Sequence, residues 1–234
     1  MASSGSYIVA GARTPIGKMS GALASFSAAD LGGFAISAAL ERAGVAPDEV
    51  QHVIMGQVLM AGQGQVPSRQ AAVNAGIPMN VPSINVNKVC LSGLNAIYLA
   101  NQMIAAGDAD IVVAGGMESM TNAPYLADGA RAGFRYGNTE LRDAIIADGL
   151  WCSFDGCLMG LGTDRYAGSE SISRESQDEF AAVSNERAAN AIKDGRLADE
   201  IVAVAVPQRR GDPILVETDE GVRPGTTAES LGGL

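Results

Sequence analysis

Three thiols stand among the 234 residues, at Cys90, Cys152 and Cys157, and Cys90 has the setting best suited to nucleophilic chemistry. It follows an alternating, strand-like run over residues 83–89 and precedes Leu91-Ser92-Gly93, where a helical pattern opens. A thiolate at the start of a helix feels the positive end of the helix dipole and backbone N–H groups that have no carbonyl partner. Both favour the ionised sulfur, which is the form that attacks a carbonyl carbon. Lys88 adds positive potential, and Gly93 removes side-chain bulk where a ligand or a second backbone could approach. A buried, unreactive cysteine fits the same position, because cysteine is among the most buried residue types. Residue types alone leave both readings open.

The other candidates are weaker. Cys152 and Cys157 have no histidine or third cysteine near them, whereas a tetrahedral zinc site needs four good ligands, so no metal is expected. His52, the only histidine, lies in a strand pattern between Gln51 and Val53 and suits a surface or satisfied core position. Gly115-Gly116 follows a strand-like run, yet neither G-x-G-x-x-G nor a phosphate-binding P-loop pattern is present. Arg209, Arg210 and Arg223 stand out in an acidic chain; a phosphate-bearing ligand would need such residues, although ordinary surface arginine explains them equally well.

The elements that must position Cys90 follow from periodicity and punctuation. To about residue 115, strand-like and helix-like segments alternate at short spacing, the pattern of a layered α/β architecture. Residues 7–10 suit a buried strand. A helix starts at Ser27 with Asp30 three residues on, turns Leu31, Phe34, Ala35 and Ala38 inward, and stops at Gly44. Residues 50–60 return as a strand, Pro67 opens a short helix closed by Gly76, and residues 84–89 form the strand leading to Cys90. Beyond it, Leu94, Ile97, Ala100 and Ile104 share one helical face ending at Gly107, and residues 110–114 give another strand. Residues 117–165 are rich in Gly, Asp, Asn and Met with poor periodicity, more loop than a plain connection needs. Order resumes with a helix over 173–194, carrying Phe180, Val183, Ala191 and Ile192 inward, and an alternating strand over 200–206. Thr226 and Glu229 suggest a capping box, yet Leu234 follows before two helical turns, so the sequence looks cut short.

Composition bounds the partners. Lys and Arg total 16 against 26 Asp and Glu, a formal charge of -10, which repels phosphodiesters, so no nucleic-acid partner is expected. No uninterrupted apolar run reaches the ~18 residues that span a bilayer, and the start lacks a basic flank before its short apolar piece, so no membrane and no targeting segment are expected. An odd cysteine count in a chain of this length fits free thiols in a reducing compartment, and hence the cytoplasm.

Several segments carry a resemblance. Asn85-Val86-Asn87-Lys88-Val89-Cys90-Leu91-Ser92-Gly93, then Ala105-Ala106-Gly107-Asp108-Ala109-Asp110 and Ala114-Gly115-Gly116-Met117-Glu118-Ser119-Met120, resemble the N-terminal half of thiolases, the acetyl-CoA acetyltransferases. So do Ala12-Arg13-Thr14-Pro15-Ile16-Gly17, Gly62-Gln63-Gly64-Gln65 with Arg69-Gln70-Ala71-Ala72, Ile172-Ser173-Arg174-Glu175-Ser176-Gln177, and Arg223-Pro224-Gly225-Thr226-Thr227, in family order. The resemblance implies an α/β/α layered fold, with an N-terminal catalytic domain over residues 1–119 and an inserted loop domain over 120–234 that holds coenzyme A. It implies that Cys90 is the acylated nucleophile. It implies coenzyme A contacts at Leu150, Met159, Arg223, Ser230 and Leu231, with Arg223 at the nucleotide end and the apolar residues along the pantetheine arm. Coenzyme A thioesters would then be substrates, no other cofactor is implied, and a homodimer or homotetramer is expected. The expected reaction is reversible thiolysis or Claisen condensation of acetyl-CoA with acetoacetyl-CoA or a longer 3-ketoacyl-CoA, as in fatty acid metabolism.

Two departures accompany it. Leu158 precedes Met159-Gly160 where many thiolases carry histidine, which leaves acyl-chain preference open. The family's Gly-His-Pro histidine, Asn-Glu segment and second cysteine are absent from these residues, so the sequence is expected to be the first three-fifths of a thiolase and inactive alone. A non-catalytic thiolase-like subunit or scaffold is the competing reading, and a condensing enzyme acting on carrier-protein thioesters is a third.

Overall fold

The computed structural model describes residues 5–234, and the first four residues of the start taken above as untargeted lie outside them. Helix α1 (Ala28–Ala43) begins as its sequence dictates: the Ser27 hydroxyl accepts the Asp30 N–H at 3.1 Å and the Asp30 carboxylate accepts the Ser27 N–H at 3.0 Å. Gly44 ends it in the left-handed region at φ 63°. Strand β1 (His52–Gly56) follows, then α2 (Pro67–Asn74), β2 (Ser83–Val86), α3 (Ser92–Ala106) and β3 (Val112–Gly116). The three strands are parallel in the order β2-β1-β3, with Ile54 registered against Ile84 on one side and Ala114 on the other.

The alternation of a strand decides what each side chain meets. Val53 and Met55 join Ala28, Ile36, Ala71 and Ile77 in the cluster under α1 and α2. Ile54, one residue out of phase, packs with Ala96 and Ala100 of α3. Both faces of β1 are therefore covered by helices, which is why it reads as an apolar run, and the layers are α/β/α.

Four expectations need correction here. Residues 7–10 form no strand: Tyr7, Ile8 and Val9 are 87%, 82% and 76% exposed, and an extended segment without a neighbour to take its N–H and C=O groups is no ladder. Helix α1 has two apolar faces rather than one, for Ala28, Ile36 and Leu40 meet the α2 side while Leu31 and Phe34 turn elsewhere. Helix α3 buries Ala96 and Ala100, flanked by Leu99 and Met103, and leaves Leu94 and Ile97 exposed. Strand β1 is shorter than residues 50–60: Gln57 still donates its N–H to the Val86 carbonyl, and the N–H groups of residues 58 and 59 turn to other partners described below. Among the described residues, Val89–Ala106 is apolar and long enough by composition to cross a membrane, with a mean hydropathy of 1.3. Of that stretch 17% is buried, where the small residues Ser92, Ala96 and Ala100 seat on the parallel sheet.

The second half is irregular first and helical later. Short strands β4 (Tyr125–Leu126) and β5 (Arg142–Asp143) pair antiparallel. A π-helical turn over Ile145–Leu150 leads into the hairpin of β6 (Trp151–Cys152) and β7 (Cys157–Leu158). Helix α4 (Met159–Ser169) was hidden in the sequence by its three interior glycines, Gly160, Gly162 and Gly168. Helix α5 (Arg174–Lys193) starts at Ser173 as its sequence indicates, although Phe180 and Val183 are exposed, at 77% and 42%, rather than turned inward. Strands β8 (Val204–Val206) and β9 (Ile214–Val216) form a hairpin, and α6 (Ala228–Leu231) is capped by Thr227 with Ser230, one residue later than the Thr226 expectation.

The β8–β9 hairpin is tied to the start of the chain. Val204, Val206 and Val216 pack with Leu23, Phe26, Leu31 and Phe34, the two rings meeting edge to face at 5.2 Å. Arg13 bridges Asp219 at 2.7 Å and Glu200 at 2.7 Å. The Glu220 carboxylate accepts the N–H groups of Lys18 at 2.8 Å and Ala22 at 3.2 Å.

Candidate active site

Between the end of β2 at Val86 and the start of α3 at Ser92 the chain must reverse in five residues, and side-chain hydrogen bonds fix how. The Asn87 carboxamide oxygen accepts the Val89 N–H at 2.9 Å. The Ser92 hydroxyl accepts the Lys88 N–H at 2.8 Å and donates to the Val89 carbonyl at 2.6 Å. The result is Val89 at φ 49°. A β-branched residue in the left-handed region is strained, and such strain persists only where the surroundings over-determine it. The turn pushes Cys90 outward, and its side chain is exposed. Helix α3 starts two residues on with Leu91 at the cap position and no side chain capping it; its Ser92 N–H donates to the Val89 carbonyl at 3.1 Å, and the positive end of the helix lies beside the turn that carries the sulfur. The sequence expectation for Cys90, a strand-to-helix junction, is the geometry found.

Three glycines let α3 sit that close to the sheet. A Cβ on Gly56 would lie 2.5 Å from the Gly93 nitrogen, and one on Gly116 would lie 3.2 Å from the Gly93 Cα. Gly115-Gly116, which match no nucleotide pattern, thus end β3 where the helix backbone must pass.

Residues 57–59 form a shoulder beside this turn. The Val58 carbonyl accepts from the Asn87 side chain at 3.4 Å. On the other side, the Glu118 carboxylate accepts the Val58 N–H at 2.8 Å and the Leu59 N–H at 3.2 Å. Burial pushes the Glu118 carboxyl above the usual glutamate range, although the backbone N–H groups of Val58, Leu59 and Ser119 oppose the rise. Gln57, almost fully buried, donates to the Leu59 carbonyl at 3.3 Å and accepts from Asn85 at 3.4 Å; Asn85 in turn accepts the Ser68 N–H at 2.9 Å. Sequence reasoning missed Glu118, Asn87 and Ser92 as supports. The available signals were a carboxyl directly after the apolar β3 run and an asparagine two residues before a helix-opening turn.

The expected thioester contacts fall into two groups. Leu150 closes the π-helical turn and Met159 opens α4, so the β6–β7 hairpin separates them, with Trp151 paired to Leu158. Gly149, next to Leu150, rests against Leu59 and Val58 at 3.6 and 3.9 Å from where its Cβ would stand. The same shoulder therefore touches both the nucleophile turn and the segment bearing Leu150. Arg223, Ser230 and Leu231 assemble at the α5–α6 corner. The Arg223 N–H donates to Asn185 at 3.3 Å, Ser230 reciprocates the Thr227 cap, and the Leu231 carbonyl accepts from Arg174 at 2.6 Å. Beside them a cavity of 780 Å³ is lined by Val183, Glu186, Asn190 and Lys193 of α5 and by Pro224 and Thr227.

Comparison with known proteins gives a consistent result. The family model described as the N-terminal domain of thiolase matches residues 6–234. The chain is 55% identical over 229 residues to a Mycobacterium leprae protein named "Probable acetyl-CoA acetyltransferase", covering 98% of this chain and 58% of that protein. It is 52% identical over 227 residues to the acetyl-CoA acetyltransferase of Cupriavidus necator, and 48% identical over 227 residues to that of Pseudomonas aeruginosa, covering 97% of this chain and 58% of each. The chain thus spans about three-fifths of the length of these curated relatives.

Proposed function

The chain belongs to the thiolase family, matching its N-terminal domain, and on that premise we propose that Cys90 is the acyl-accepting nucleophile of an acetyl-CoA C-acetyltransferase. The observation that carries this reading is the strained Val89–Cys90 turn held out at the uncapped start of α3. There the sulfur can attack a thioester carbonyl, form the S–C bond and expel coenzyme A as thiolate. The positive end of α3 favours negative charge developing on the sulfur and on the carbonyl oxygen beside it. Thioester exchange replaces one S–C bond with another of similar energy, so the acyl group passes readily in either direction. In the second half-reaction the enolate of acetyl-CoA, or the thiolate of free coenzyme A, attacks the acyl-cysteine carbonyl; the new C–C or S–C bond forms as the Cys90 S–C bond breaks, giving acetoacetyl-CoA or the shortened acyl-CoA and returning the Cys90 thiolate. The groups that move the α-proton are assigned to the rest of the whole protein, since the chain covers 58% of its relatives' length.

Leu150 and Met159 suit the pantetheine arm because both are partly exposed apolar residues joined through Gly149 to the shoulder beside Cys90. Arg223 suits the nucleotide phosphates by charge, with Ser230 and Leu231 beside it. The division into a catalytic part over residues 1–119 and a coenzyme A-binding loop domain over 120–234 follows the same reading. Strand β2 stands at the sheet edge with Ile84 exposed, which favours a dimer formed edge to edge. A cytoplasmic location and a role in fatty acid metabolism complete the proposal. The test is thiolysis of acetoacetyl-CoA by the whole protein: wild type should turn over, Cys90→Ala should lose all activity, and full activity in Cys90→Ala would refute the assignment.

A further inference from the structure

The hairpin between Leu150 and Met159 contains the remaining two thiols, and its register sets them opposite each other. Cys152 of β6 and Cys157 of β7 are Cα partners across the antiparallel pair, with residues 153–156 forming the turn. Directly opposed residues in such a ladder have Cα atoms about 4.5–5.5 Å apart and side chains on one face. A disulfide spans Cα separations of about 4.4–6.8 Å, so this pair can close without moving its strands apart. The two thiols also differ in access, for Cys157 is 4% exposed while Cys152 is half-buried.

The turn equips Cys152 in particular. Its thiol donates to the Asp155 carboxylate at 3.2 Å and its sulfur accepts the Asp155 N–H at 3.4 Å, so both contacts fix where the Cys152 sulfur stands at the mouth of the turn. Gly156 in the left-handed region at φ 61°, with its N–H donated to the Cys152 carbonyl at 2.9 Å, holds the turn tight. Cys157 is packed against α4 at Gly162, where a Cβ would stand 4.0 Å from its sulfur.

We propose that Cys152 and Cys157 are a peroxide-sensitive dithiol, with Cys152 the residue oxidised first and Cys157 the one that resolves it. The Cys152 thiolate attacks one oxygen of a hydroperoxide, forming an S–O bond as the O–O bond breaks and an alcohol, or water from hydrogen peroxide, departs. The Cys157 sulfur then attacks the Cys152 sulfur: the S–S bond forms, the S–O bond breaks, and the hydroxide leaves as water with the Cys157 proton. Two thiols thus lose two electrons to the peroxide, and a dithiol reductant reverses the step by exchange. The site is distinct from the proposed nucleophile, since Cys90 lies in the β2–α3 turn.

The whole protein, treated briefly with limiting hydrogen peroxide, alkylated and digested with trypsin, tests the pair directly. Residues 143–165 form one tryptic peptide that holds both thiols. Its mass should fall by two hydrogens, neither thiol should alkylate, and dithiothreitol should restore both. In Cys157→Ser, a dimedone probe should label Cys152 as a sulfenic acid; in Cys152→Ser, Cys157 should remain an alkylatable thiol. A peptide in which both thiols still alkylate, or a cross-link of either to Cys90, would overturn the proposal. Dimedone labelling of Cys157 in Cys152→Ser would overturn the assigned order.

Discussion

The Ser92 hydroxyl donates to the Val89 carbonyl at 2.6 Å while it accepts the Lys88 N–H at 2.8 Å, so one buried side chain clamps the left-handed Val89 and the residue before it in the turn that presents Cys90. Replacing Ser92 with alanine removes both bonds and leaves the Lys88 N–H without that partner. Ser92→Ala should cost about 1–3 kcal/mol in urea unfolding. It should also slow acetylation of Cys90 as the Val89 strain relaxes. An unchanged acetylation rate would show that the turn is held by Asn87 alone.

Gly56→Ala tests the close approach of α3 to the sheet. The added Cβ would stand 2.5 Å from the Gly93 nitrogen, and backbone cannot yield as a flexible side chain would. Overpacking of this kind typically costs about 1–3 kcal/mol. The chain should lose thermal stability and Cys90 should lose its position together; loss of neither would mean that the helix start has slack.

Glu118 should give a distinctive pH response. Its carboxyl lies above the usual glutamate range through burial, so the folded state holds that proton more tightly than the unfolded chain does. Its contribution to stability therefore falls as pH rises from the ordinary glutamate range through the elevated folded value. Glu118→Gln removes that slope, and the difference between wild type and variant in unfolding free energy across mildly acidic pH is the measurement. Glu118→Ala instead leaves the Val58 and Leu59 N–H groups without their acceptor and should cost roughly 2 kcal/mol at neutral pH.

Asp219 should behave with the opposite sign. The Arg13 hydrogen bond holds its carboxyl below the usual aspartate range, opposed by burial and aided by the Ile16 N–H. A depressed folded value contributes stability above the ordinary aspartate range, and that stability is lost as pH falls through the folded value. Asp219→Asn should flatten the acid side of the stability profile and loosen residues 13–22 from the β8–β9 hairpin, detectable as faster amide exchange at Ile16 and Lys18.

Local chemistry made some of this structure legible in the sequence. Ser27 with Asp30, Gly44, Pro67 with Gly76, and Gly107 mark helix ends through bonds made within a few residues, and each stands where its pattern places it. The strand-to-helix setting of Cys90 belongs to the same class. Features that depend on remote surfaces were not legible. Residues 7–10 have strand composition but no neighbour among the described residues, and the buried side of α3 is chosen by Ile54 beneath Ala96 rather than by the larger Leu94 and Ile97. Two adjacent threonines made the last cap ambiguous, and Ser230 settles it by bonding back to Thr227. Glu118 was invisible because its role depends on N–H groups 60 residues earlier in the chain.

The most direct test of the central claim is mass mapping of the whole protein quenched during reaction with acetyl-CoA in the absence of free coenzyme A. The acetyl group should appear on the peptide bearing Cys90, should vanish on addition of coenzyme A, and should be missing from Cys90→Ala. Acetylation at Cys152 or Cys157 instead, or turnover with Cys90 unmodified and replaceable by alanine, would contradict the account.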